Sequence, residues 1–256
     1  MRAKFRGEAA ASLSEFERAV NLFERGGSLR HAALDRVNVA YAAMQLGRYR
    51  EAGAALTKAL AVAQRMGLAH VAAAAKQNLG YVLWRLGDLR AARDLVIDAI
   101  SAFSRQGAGR MEGSARSYLA LILAQGGELD GAEAEARRAL SLLAGAPLEH
   151  AQATGVLAGV LLARGDAAGA EALAREALGR IQDAHAWEAE SQVRLVVAEA
   201  LQMAGRVEEA RAALSEARAR LLDRAERIGD AALAASFLGQ VPENVRTLEL
   251  SGGSPA

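Results

Sequence analysis

Histidine is the first side chain to weigh for chemistry, because its imidazole titrates near neutral pH and is the commonest metal ligand. The four in this chain, His31, His70, His150 and His185, stand in four separate regions. None forms a His-Glu-x-x-His pair, and there is no Cys to complete a site. Asp183 and His185, beside Trp187 and Glu188, make one local polar cluster, which a solvated turn accounts for equally well. The Gly107-Ala108-Gly109 run with Gly113 approaches a dinucleotide-binding loop, but its spacing is one residue too long and no strand precedes it. No Gly-Lys pair exists to end a phosphate-binding loop, and no Gly-x-Ser-x-Gly presents a nucleophile. The acidic pair Glu208-Glu209 falls at the exposed start of a helical run. No catalytic, cofactor-binding or metal-binding residue is therefore assigned, no cofactor is expected, and the chain reads as non-enzymatic.

Recognition chemistry is better represented. Tyr41, Gln45, Gln77, Tyr81, Trp84, Arg85 and Gln125 combine aromatic surface with hydrogen-bonding groups, the mixture that protein interfaces favour. A second set, Arg36, Lys76, Arg116 and Arg194, is basic and evenly spaced, with Thr154 breaking the series. It either binds acidic segments of a partner or forms a solvated face paired with acids on neighbouring helices.

The elements that must position these residues are declared by an internal repeat. Gly47, Gly87, Gly127, Gly165 and Gly205 are spaced 40, 40, 38 and 40 residues apart. Five residues after each stands Ala (Ala52, Ala92, Ala132, Ala170, Ala210), and twelve after each stands Ala again (Ala59, Ala99, Ala139, Ala177, Ala217). Seven before each is another very small residue (Ala40, Gly80, Ala120, Ala158, Ala198). Apolar residues on both sides step by three and four, as one face of a helix does. Each Gly thus marks the turn of a helical hairpin, where a residue tolerating positive φ is needed. Small residues at matching registers let the two axes approach closely. A single hairpin cannot bury its own apolar faces, so the pairs must stack.

The expected fold is all-α: a right-handed α-α superhelix of about five hairpins, at 28–66, 68–106, 108–144, 147–183 and 186–228. An N-terminal helix or half repeat (1–27) precedes them. Capping helices (230–250), covering the apolar face of the fifth pair, and a flexible tail (251–256) follow. First helices of successive hairpins line the concave side of such a stack, so Tyr41, Tyr81 and Trp84 belong either to a groove or to helix packing. Gly155 and Gly159 in the fourth hairpin suggest a wider groove there.

The repeat resembles the tetratricopeptide family. In the second copy Leu79-Gly80 and Gly87 through Ala92, Val96 and Ala99 match its packing positions, while Lys76 and Leu83 replace the usual Trp and large aromatic. The family's usual period is about 34 residues, and the longer period here implies helices extended by nearly a turn each. The resemblance implies a scaffold that takes a protein or peptide segment in its concave groove. The family's clamp for a C-terminal carboxylate is not reproduced, since Val37, Tyr41, Ser117 and Leu121 hold the corresponding places. Residues 236–248, Ser-Phe-Leu-Gly-Gln-Val-Pro-Glu-Asn-Val-Arg-Thr-Leu, are similar to the ending of tetratricopeptide regions in large bacterial signalling proteins with a Ser/Thr kinase and a STAND-type ATPase module. That likeness implies a regulatory arm, or alternatively an arm sensing a ligand or signalling peptide. The helix directly after Met1 looks like half a repeat, as in a fragment of a longer chain.

Composition bounds the partner. Lys plus Arg number 31 against 30 Asp plus Glu, a balance that argues against nucleic acid and anionic membranes as partners. Charge-free stretches such as 117–127 and 150–163 fall short of the roughly 18 apolar residues a membrane span needs. The basic start lacks the apolar core of a secretory signal, and with no Cys the chain is expected in the cytoplasm.

Overall fold

The computed structural model describes residues 9–183 and 189–252. His185, Trp187 and Glu188 of the polar cluster, together with the Asp183 side chain, the first eight residues and the last four, lie outside what is described. Within the described residues the regular elements are helices: α1 (Ala9–Arg25), α2 (Leu29–Gln45), α3 (Tyr49–Arg65), α4 (Ala69–Arg85), α5 (Leu89–Arg105), α6 (Gly109–Gln125), α7 (Leu129–Leu142), α8 (Pro147–Ala163), α9 (Ala167–Asp183), α10 (Glu190–Met203), α11 (Val207–Arg227), α12 (Ala231–Gln240) and α13 (Pro242–Leu250).

The true structural unit is one helix plus one turn. Helices α1 to α6 each have 17 residues, and each is followed by a three-residue connection. Gly27, Gly67 and Gly107, which separate the hairpins in sequence, adopt the same positive φ as Gly47, Gly87 and Gly127 inside them. At each, the residue after the Gly returns its N–H five residues back, as in Arg48 to Ala43 (2.9 Å) and Leu68 to Ala63 (2.8 Å). That bond and its companion satisfy carbonyls that the helix end leaves bare. Turns within and between hairpins are therefore equivalent, and the chain zigzags evenly until α7. There the helix stops after 14 residues, and the glycine spacing contracts with it.

Every helix packs on its neighbours in sequence, and α2, α4, α6, α8 and α10 also pack on one another. These five first helices form the inner layer of a superhelix, with α3, α5, α7, α9 and α11 outside. The small-residue registers lie at the crossings: Ala40, Ala52, Ala59, Ala92, Ala99, Ala120, Ala132 and Ala139 are wholly buried. At Gly155 the absent side chain lets α10 close in on α8, since a Cβ would stand 2.5 Å from Val193 Cγ2. The glycine expected to widen the groove thus tightens a helix contact.

The C-terminal helices begin at Asp230, whose carboxylate accepts the Leu233 N–H at 2.9 Å, and Pro242 opens α13. They pack on α10 and α11. They also reach the other end of the chain, where Phe237 and Leu248 join one core with Leu13, Leu46, Tyr49 and Leu56. Gly47 lies so close to α12 that a Cβ would stand 2.7 Å from Gln240 Cβ and 2.9 Å from the Ser236 carbonyl oxygen. The superhelix is closed on itself.

Ala132→Arg forces a long charged side chain into the contact of α7 with its neighbours. Overpacking costs about 1–3 kcal/mol and an unpaired buried charge costs more, so urea unfolding followed by circular dichroism should show a large fall in midpoint. An unchanged midpoint would refute this helix register.

Candidate binding groove

A cavity of about 560 Å³ runs along the inner layer, walled by α2, α4, α6, α8 and α10. Its floor follows two registers. Leu34, Ala74, Ser114, Gln152 and Gln192 stand thirteen residues before their turn glycines, and Asn38, Asn78, Tyr118 and Val156 stand nine before theirs. Side chains at one register repeat on one face of successive helices, so stacking brings residues about 40 apart into a row. These rows combine amides, hydroxyls and apolar groups. The charged groups at the border include Arg110 and Glu149, which neutralise each other at 3.0 Å.

Four residues singled out in the sequence, Tyr41, Gln45, Gln77 and Tyr81, line this cavity. The other three do not. Gln125 is exposed at the end of α6. Trp84 is in the core with Val96, Phe103 and Leu119, where its indole N–H has no acceptor among the described residues. Arg85 points to the C-terminal helices. Its Nη2 donates to Glu243 Oε1 at 2.6 Å, and its Nε and Nη2 donate to the Tyr81 hydroxyl at 3.0 and 2.7 Å. The guanidinium also covers the Trp84 ring, 4.1 Å from the centroid, and Tyr81 meets Tyr118 at 4.7 Å between centroids. Tyr81 thereby joins the groove to the Arg85 pair.

Burial opposes the Arg85 charge, but Tyr81 and Glu243 more than offset it and hold the guanidinium above its usual range. Burial pushes the Tyr81 phenol up, although Arg85 pulls the other way. Burial does the same to Tyr49, with a further push from Tyr81.

The basic series faces away from the groove, into ion pairs between helices. Lys76 meets Asp98 at 2.8 Å, Arg116 meets Glu112 and Glu135 at 2.7 and 2.6 Å, and Arg194 meets Glu190 and Glu216, both at 2.8 Å. Arg36 pairs with Glu24 of α1. Lys76, Arg116 and Arg194 each tie a first helix to the second helix of its own hairpin. Of the two readings of this series, these ion pairs favour the face paired with acids on neighbouring helices: eleven residues before the turn glycine, the side chain leans toward the adjoining helix. The registers nine and thirteen before the glycine were missed because neither carries one residue type; only their common offset could have revealed them. Among the described residues, no group of three or more potential metal ligands converges, and no helix is long and apolar enough to cross a membrane.

With this geometry in view, residues 36–65 match the tetratricopeptide repeat family model. No curated protein sequence matches the chain. Among solved structures, a Rap protein complexed with competence and sporulation factor is 14% identical, with a TM-score of 0.65 over 93% of this chain and 73% of that one. The Rap conjugation gene regulator of plasmid pLS20, in complex with the Phr* peptide, is 17% identical, with a TM-score of 0.59 over 93% and 70%. A signal transduction ATPase with numerous domains and a tetratricopeptide repeat sensor, from Pyrococcus horikoshii, is 14% identical, with a TM-score of 0.59. That match covers 93% of this chain but 37% of the ATPase. The tetratricopeptide match is thus carried by residues 36–65, and the likeness of the whole chain to these structures is one of fold, a stack of helical repeats.

Two measurements follow from the placements. Trp84→Ala should cost about 3–5 kcal/mol in chemical unfolding, as aromatic truncations in a core do, whereas Gln125→Ala should stay within about 0.5 kcal/mol. The raised Tyr49 and Tyr81 phenols keep their protons in the folded state after unfolded tyrosines, near pH 10, have lost theirs. Their contribution to stability is complete below about pH 10 and declines as pH rises through the folded values. Ultraviolet titration should accordingly show Tyr49 and Tyr81 ionising later than free tyrosine.

Proposed function

We propose that this chain is a non-catalytic scaffold that takes a peptide or protein segment in the groove along its inner helices. The observation that carries the reading is the row of amides and apolar groups at two fixed registers, with its bordering Arg110 and Glu149 already paired. A side-chain amide offers both a donor and an acceptor, as a peptide bond does, so repeated amides suit an extended backbone. Apolar neighbours such as Val37, Val71 and Met111 suit the side chains between. The favoured occupant is a segment of low charge. The solved Rap regulator of pLS20 with its Phr* peptide supports a peptide as the class of partner.

The likeness to the sensor-bearing ATPase supports a regulatory role, in which the chain acts as an arm of bacterial signalling in the cytoplasm. A second reading is favoured by the cavity's size. At about 560 Å³ it falls within the range of small-molecule pockets, so a ligand-sensing arm controlling an attached kinase or ATPase also fits.

Ser114 is half-buried on the groove floor and, among the described residues, bonds its own helix, its hydroxyl donating to the Arg110 carbonyl oxygen at 3.2 Å. Ser114→Arg should fill the groove and leave the helices folded. Peptides selected from a random library on the wild-type chain should lose at least about tenfold in affinity for this variant, the effect of roughly 1.4 kcal/mol. Peptides held equally by both chains would move the site elsewhere. A small-molecule screen that stabilises the wild-type chain and not Ser114→Arg would select the second reading.

A further inference from the structure

The Arg85 end of the groove is already occupied by the chain itself. Arg85 and Glu243, 158 residues apart in sequence, pair with side chains only 9% and 14% exposed. The same guanidinium is pinned by the Tyr81 hydroxyl and stacked on Trp84. Around the pair lie Met44, Tyr49, Phe237 and Asn244, enclosing a residual cavity of about 60 Å³. Asn244 is fully buried and its Oδ1 has no partner among the described residues. Met44, Gln45, Tyr81 and Gln192 border both this chamber and the open groove. The surface that faces α12 and α13 thus has the make-up of a receptor for a carboxylate on an amphipathic segment: a fixed guanidinium fork, an aromatic floor of Tyr81 and Trp84, and walls from Met44 and Tyr49.

We propose that this end of the groove is a carboxylate-binding site, that α12 and α13 fill it in cis as a releasable clasp, and that an acidic partner segment engages it by taking the place of Glu243. The inference rests on the reading of the groove as a binding surface and adds its regulation. Three features support a clasp. The C-terminal helices are short, with 10 and 9 residues. Their link to the first two hairpins turns on one charge pair and one apolar cluster. A bidentate-capable guanidinium discriminates carboxylate from neutral amide by charge as well as by shape. Attachment to the same chain gives the cap a high effective concentration, so a partner competes only when the cap is weakened or the partner binds better.

The test uses the full chain and two synthetic copies of residues 236–250, one with Glu and one with Gln at the position of Glu243. In Glu243→Gln, amide hydrogen exchange of α12 and α13 should rise by about tenfold or more, while α5 to α9 stay near wild type. This variant should bind the Glu-bearing copy about tenfold more tightly than the Gln-bearing one, and the wild-type chain should bind both more weakly. Unchanged exchange in the cap, exchange raised equally in all helices, or equal affinity for the two copies would overturn the proposal. Should Glu243→Gln fail to fold, Glu243→Asp keeps the charge, shortens the reach and must show the same order with smaller differences. Neither measurement involves Ser114, so failure of the clasp and failure of the groove reading are distinguishable.

Discussion

Close approach of helices at small side chains is the constraint on which the rest of this structure depends. Ala and Gly at three registers put helix axes near one another at every crossing, and a single added Cβ meets a neighbour at about van der Waals overlap, as at Gly80 and Val96 Cγ2, 2.5 Å. Packing interiors at near-crystalline density leaves no slack for larger residues there. The regular rotation of one hairpin on the next follows from this uniform contact. So does the concave row of first helices, because only those helices touch both their own partners and each other.

Charge does different work in different parts of the chain. Lys76 and Arg116 and their acids brace hairpins from the side, at positions that still touch solvent, where each pair adds little on its own, whereas Arg194 and Glu190, 5% and 7% exposed, make a buried brace. Arg85 and Glu243 are almost fully withdrawn from water, where a pair adds little net stability but leaving either partner alone is costly. Such a pair specifies geometry: it fixes which residue of α13 meets the C-terminal end of α4. Tyr81 shares its hydroxyl with that pair and its ring with the groove, so the two ends of the chain meet at the residue that also faces the inner channel.

The C-terminal helices make the difference between an open spiral and a closed one. Their apolar face, with Phe237 and Leu248, finds α10 and α11 behind it and Tyr49 and Leu56 in front. A capping element that covers only the last pair would leave the Gly47 turn and Tyr49 in solvent; here both are buried. The closure also bounds the inner channel at the Arg85 end.

Much of the architecture was legible in the amino-acid sequence, because local rules govern it. The turn glycines, the Ala registers, the capping Asp230 and the Pro242 helix start each act within a few residues, and each appears in the structure doing what its chemistry requires. The groove was half legible: Tyr41, Gln45, Gln77 and Tyr81 belong to it, but Ser114, Tyr118, Gln152 and Gln192 were hidden by their mixed chemistry. Trp84 could not be placed, since a helix offers it both an inner and a lateral direction and only the neighbouring α5 decides. The Arg85–Glu243 pair lay further beyond reach. Whether residues 158 apart meet depends on the small rotations added at every crossing along the superhelix, and no local pattern records their sum.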